Sequence, residues 1–226
     1  MNNNLDLQTK SAEEEQTFGE KLWRHVVDST AMLTFSNVPF TALDLFWNKM
    51  GNEVAQGTRA YVIGSVYGGL GFLIAGGRRF SERKFGITDQ TNEGIRSIHD
   101  VSVLLGVNLI INPIFYALAG ETDPEKIFYG TLSTSALSAL IAPVFGAMIS
   151  VYEDLTEIQK CERKWYPKVL SDLNSKTKKM VVAGLTAASV VTTLGLYELN
   201  NYIHRNNSQV QIQECREGNL ESLVEN

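Results

Sequence analysis

The chain has 226 residues, of which 44% are hydrophobic and 20% charged, with a mean hydropathy of -0.08 and a formal net charge of -5. That apolar content excludes a disordered chain, and two cysteines exclude a disulfide scaffold. A pI near 5.3 argues against a nucleic-acid partner held by bulk charge.

From the N-terminus, residues 1–22 form a polar, acidic tail (Glu13, Glu14, Glu15) with no apolar stretch before a small-residue cleavage site. Five runs then lack Asp, Glu, Lys, Arg and His altogether: 29–43, 60–77, 101–120, 127–152 and 180–197, of 15, 18, 20, 26 and 18 residues. A soluble amphipathic helix places charge on its wet face every three or four residues, and these runs have no such face. A bilayer core of about 30 Å takes about 20 apolar residues as helix. The first run reaches that length only if Asp28 and Asp44 mark the two headgroup levels, with Asp44 at the outer edge and the span extending over Val26–Trp47. The runs are rich in Ser, Thr, Gly and Asn, as buried helices of a soluble bundle would be. A chain of this size, however, has too little interior for five helices uncharged all round. The predicted fold class is all-α, a polytopic membrane helical bundle with five transmembrane helices.

The flanks give an independent test, because cytoplasmic loops of membrane proteins collect Lys and Arg. Residues 1–25 hold 3, loop 48–59 holds 2, loop 78–97 holds 5, loop 120–126 holds 1, loop 153–179 holds 7 and the tail 198–226 holds 2. Alternate segments carry 15 against 5. This predicts a cytoplasmic N-terminus, an external C-terminus and a multi-pass protein of the cell inner membrane. Domain organisation follows: a polar tail 1–22, a four-helix membrane domain 23–156, a basic cytoplasmic loop 157–179, a fifth transmembrane helix 180–203 and a polar tail 204–226. Cys161 and Cys215 fall on opposite sides and cannot pair.

The first and third segments open alike, as Arg24-His25-Val26-Val27-Asp28 and Arg96-Ser97-Ile98-His99-Asp100. Each then reaches Asn and Pro: Asn37 and Pro39 in one, Asn108, Asn112 and Pro113 in the other. A small-residue return helix follows each, so 26–79 and 98–154 read as a parallel two-hairpin repeat, an arrangement of small transporters. Pro39, Pro113 and Pro143 remove backbone donors inside spans and predict kinks. Freed carbonyls and the nearby asparagines would line a polar path or bond between helices. Small residues four apart, Gly64 and Gly68 in the second span and Ala142 and Gly146 in the fourth, fit close helix packing within the chain or a homo-oligomer interface through the fourth span.

At Arg24–Met32 the chain reads Arg-His-Val-Val-Asp-Ser-Thr-Ala-Met, which resembles the opening of the bacterial L-alanine exporter family. The similarity continues through Arg59, Arg78, Asp100, Pro113-x-Phe115-Tyr116-Ala117, Gly120, Gly146 and Asp154. It covers roughly residues 22–156, about 60% of the chain. The exporters have four spans, so the run at 180–203 is extra, and the Pro-rich start of their second helix is replaced here by Gly64, Gly68 and Gly69. The resemblance implies export of L-alanine or a related small amino acid, with membrane lipid and alanine as partners, no cofactor and no metal.

Alanine is a small zwitterion, so a site needs an acid for its ammonium and a cation for its carboxylate. Asp28 and Asp100 are the acid candidates, and a carboxylate entering low dielectric can also take up a proton. The alternative pairs them with Arg24 and Arg96 in the headgroups. Arg59 is the cation candidate. Enzyme motifs are missing: there is no Gly-x-Ser-x-Gly, P-loop, His-Glu-x-x-His or Cys-x-x-Cys. The competing function is a membrane scaffold or assembly protein whose basic loop 153–179 binds a partner or anionic lipid.

Overall fold

The computed structural model describes residues 17–70, 80–81, 84–86, 93–161 and 166–224. The side chains of 93, 94, 96, 97, 100, 143, 146 and 207–224 lie outside that description. Every regular element among the described residues is helical. Helix α1 is Phe18–Ala42 and continues as a π-helical turn, Leu43–Trp47. Helix α2 is Asn52–Ser65, followed by a second π turn, Val66–Leu70. Then come α3 (Glu93–Leu118), α4 (Pro124–Leu155), the single turn α5 (Lys168–Ser171) and the long α6 (Ser175–Val224).

Local chemistry sets these boundaries. Thr17 and Glu20 form a reciprocal capping box that starts α1. Asp123 accepts from the amides of Glu125 and Lys126, and Pro124 opens α4, where its missing N–H costs nothing. Asn174 accepts from the Thr177 amide at the start of α6. Gly120, at φ 95, takes the left-handed position that ends α3, and the Glu121 amide reaches back to the Tyr116 carbonyl. In α1, Pro39 cannot donate, and four residues later the helix widens into the π turn that carries Asp44.

The helices form antiparallel hairpins. α1 runs against α4: Val27 and Ala31 pack on Tyr152, and Phe35 meets the Tyr152 ring edge-on at 6.1 Å. α2 returns beside α1, with the Tyr67 hydroxyl 2.8 Å from Thr30. α3 runs beside α2, with Tyr61 stacked on Phe115 at 6.3 Å. α6 is parallel to α1; Ser189 donates to the Thr34 carbonyl at 2.7 Å, and Asn52 exchanges hydrogen bonds with Asn200 and Asn201.

The packing is inverted relative to a water-soluble bundle. Buried positions include Ser29, Thr41, Asp44, Thr58, Arg59, Thr131, Thr134, Ser135 and Asp154, while Leu140 is 77% exposed and Ile110 69%. A broad apolar exterior over a polar interior suits lipid contact. Two helical segments are long and apolar enough to cross a membrane, Val101–Leu118 and Ser175–Asn206. Pro124–Ala142 and Ala147–Leu155, bent by 62°, make a third if they act as one span. The bend falls where the sequence has Pro143.

Among the described residues the expected count of five spans is therefore corrected to two or three. Run 29–43 is too short and too rich in Ser, Thr and Asn, and its helix carries Asp28 and Asp44. Run 60–77 is divided: α2 ends at Ser65, Gly69 adopts φ 104, and 71–79 lie outside the described residues. The C-terminal boundary also moves. Helix continues to Val224 instead of giving way to a tail near 204, since no proline follows Pro167 to stop it.

Candidate functional site

Among the described residues the most buried charge sits in the π turn after α1. Asp44 is fully enclosed, at 0% exposure. The Arg59 guanidinium on α2 donates to its Oδ2 at 3.0 Å. The Tyr116 hydroxyl on α3 donates to Oδ1 at 2.7 Å, and the Asn48 amide donates to the same oxygen at 3.2 Å. Asn48 in turn accepts from Ser133 on α4 at 2.8 Å. One carboxylate thus ties four helices together. Its charge is shared among three donors, as a buried carboxylate requires.

The pair depends on close packing behind it. Gly130 on α4 has no room for a side chain: a Cβ there would collide with the Met50 methyl and stand 3.2 Å from the Tyr116 ring. The Arg59 guanidinium also lies 5.3 Å from the centre of the Phe40 ring, a cation–π distance.

Arg59 forms part of the wall of a cavity of about 120 Å³. That is far above the ~10–15 Å³ one water needs and below the ~300 Å³ of drug-sized pockets. The polar wall consists of Arg59, Ser36, Asn108, Asn112, Thr134 and Ser138; Phe40, Phe115 and Phe145 are among the apolar lining. Asn112 donates to the Thr134 hydroxyl at 2.9 Å across the α3–α4 hairpin. Arg59 Nε is buried with no hydrogen-bond partner among the described residues, as are the Thr41 and Thr58 hydroxyls.

The sequence candidates divide. Arg59, Asn108 and Asn112 meet at the cavity. Asn37 and Asp28 are not on its wall; each has a buried carboxyl or amide oxygen without a partner among the described residues. Arg24 does not pair with Asp28: its Nε lies 3.2 Å from Glu153, and its Nη2 donates to Gln159 at 3.0 Å. The side chain of Asp100 lies outside the described residues, as do those of Pro143 and Gly146. Pro39 and Pro113 are inside α1 and α3. Gly64 and Gly68 have nothing within 4 Å of an added Cβ, so they make no close helix contact among the described residues. Ala142 is half-buried on α4. Asp44, expected at an outer edge, is instead the centre of the network. The signal for it was the lone Asp closing one charge-free run and the lone Arg opening the next, joined by a short turn.

A second buried carboxylate lies at the far end of α4, beyond the apolar run. Asp154 accepts from the Tyr166 hydroxyl at 2.7 Å and from Lys178 at 3.1 Å. Its other oxygen accepts from the Cys161 amide at 3.4 Å.

No protein-family model, curated protein or solved structure matches this chain. Fold and site together give an all-helical protein with two or three apolar helical segments long enough to cross a membrane among the described residues, and a largely apolar cavity with one arginine and several neutral polar groups on its wall.

Proposed function

We propose that the protein is a small inner-membrane exporter of L-alanine or a related small amino acid, proton-coupled, with the Arg59 cavity as its substrate site. The observation that carries this reading is the cavity itself: one cation, two asparagines and three hydroxyls on a largely apolar wall between helices that are apolar outside. The resemblance at Arg24–Met32 supplies alanine as the first substrate to try. Three spans, like five, place the two termini on opposite sides, so the charge asymmetry still favours a cytoplasmic N-terminus.

The test is intracellular alanine in cells fed an alanine dipeptide, with and without the protein. Lower accumulation with the protein is expected; unchanged accumulation removes alanine as substrate. The second reading is a non-transporting scaffold whose basic loop 153–179, with its seven Lys and Arg, holds a partner or anionic lipid. Replacing Lys160, Lys168 and Lys176 by Gln separates the two: an exporter keeps its flux, and a scaffold loses its partner.

A further inference from the structure

Helix α1 is covered over one stretch and bare on both sides of it. Residues 17–23 are exposed, every residue from 24 to 45 is buried or half-buried, and Phe46 and Trp47 are exposed again. The covered stretch is 22 residues, about 33 Å as helix. Aromatic side chains stand at both limits: Phe18 and Trp23 before it, Phe46 and Trp47 after it. The second limit continues around the bundle. Asn48 accepts from Ser133, and just before Ser133 on α4 Phe128 and Tyr129 are exposed. Asn52 bonds Asn200 and Asn201, and the next residue, Tyr202, is 68% exposed. At the first limit Arg24 meets Glu153, Lys178 meets Asp154, and Lys21, Lys176 and Lys179 are exposed. On α6 the two levels, marked by Lys179 and Tyr202, are 23 residues apart, about 35 Å. Between them α6 shows Val190, Val191 and Leu194 to the outside. Tyr61 and Tyr67, exposed between the levels, have partners within the chain: the Phe115 ring and the Thr30 hydroxyl.

Tryptophan and tyrosine combine an apolar ring with a polar handle, and they collect at the headgroup level on both faces of a bilayer whose hydrocarbon core is about 30 Å thick. We propose that the aromatic levels at Trp23 and at Trp47, Tyr129 and Tyr202 sit in the two headgroup layers of one phospholipid bilayer, and that α1 crosses between them enclosed by its neighbours. A helix so enclosed needs no apolar surface. Ser29, Thr34, Thr41 and Asp44 are buried within the bundle, and lipid meets the exposed apolar side chains of α3, α4 and α6. The composition of α1 therefore differs from that of the lipid-facing segments, although it covers the same distance. The cavity falls near the midplane: Ser36 on its wall is 13 residues from Trp23 and 11 from Trp47. The proposal rests on the membrane location within the proposed function and not on transport or its substrate.

The test places the full-length protein in phosphatidylcholine vesicles with one tryptophan at a time. Trp47→Phe with Trp165→Phe leaves Trp23, and Trp23→Phe with Trp165→Phe leaves Trp47. A third protein has all three replaced by Phe and carries Val191→Trp, a position midway between Lys179 and Tyr202 and 68% exposed. Fluorescence is quenched in turn by lipids brominated near the headgroup, by lipids brominated deep in the chains, and by aqueous iodide. Trp23 and Trp47 are expected to lose more fluorescence to the shallow bromines than to the deep ones, and Val191→Trp is expected to show the reverse order. Iodide reaching Trp23 or Trp47 where neither bromine does overturns the proposal and leaves that end as a surface in water. Stronger quenching of Trp23 or Trp47 by the deep bromines also overturns it, by putting the bilayer elsewhere on the bundle. If no bromine quenches any of the three proteins, the membrane location falls as well. Shallow quenching at Trp23 and Trp47 without alanine flux in the same vesicles removes transport and leaves this proposal standing.

Discussion

Asp44 and Asp154 are buried in nearly the same company: each has one basic side chain and one tyrosine hydroxyl at hydrogen-bond distance. Their surroundings separate them. The Asp154 cluster joins the end of α4 to Tyr166, 12 residues on, and to the first turn of α6. Its cation is a lysine, a compact point charge that needs no fixed orientation. This is a clip that holds Tyr166 and the start of α6 against the end of α4. The Asp44 cluster joins four helices, and its cation is an arginine, whose five donors allow one to hold the carboxylate while another stays unpartnered. Only this second cluster borders the cavity. Burying an acid with a base serves closure at one end; at the other it joins four helices beside a cavity.

Breaking each cluster in turn sharpens the contrast. Asp44→Ala should have the largest effect, about 3–5 kcal/mol of lost stability, because it strands Arg59 in the interior. Thermal unfolding in detergent measures it, and a loss no larger than that of an exposed substitution would show that Arg59 finds water instead. Asp154→Ala should cost less, about 1.5–3 kcal/mol for hydrogen bonds to a charged group: Lys178 is as buried as Arg59, but it lies in the first turn of α6 and its flexible stem lets the ammonium swing out to water once the acid is gone. Gly130→Ala follows at about 1–3 kcal/mol, by forcing Met50 and Tyr116 away from their positions. Its effect should be non-additive with Asp44→Ala, since both act through Tyr116. Arg24→Gln should be smallest, within about 1 kcal/mol, since the Arg24–Glu153 pair is partly exposed.

The helices were legible because charge-free runs leave no wet face, and the all-α class followed from that alone. The span count was not, because absence of charge is weaker than apolarity: run 29–43 is uncharged yet holds Ser, Thr and Asn that the structure turns inward. Half of the site could be read. Arg59, Asn108 and Asn112 stood out as polar groups at or inside apolar runs. Asp44 and Tyr116 were missed for opposite reasons. Asp44 ended a run and so looked like a boundary, whereas it is the π turn after Pro39 that places it in the interior. Tyr116 lies 72 residues from its partner, a separation at which no local pattern operates.

The most direct test of the substrate site is alanine flux into proteoliposomes containing wild type or Arg59→Gln, with folding of both checked by melting. The account predicts that wild type carries alanine and that Arg59→Gln, folded, carries at most about a tenth as much. Equal flux through the two proteins would contradict it and move the substrate path away from the cavity.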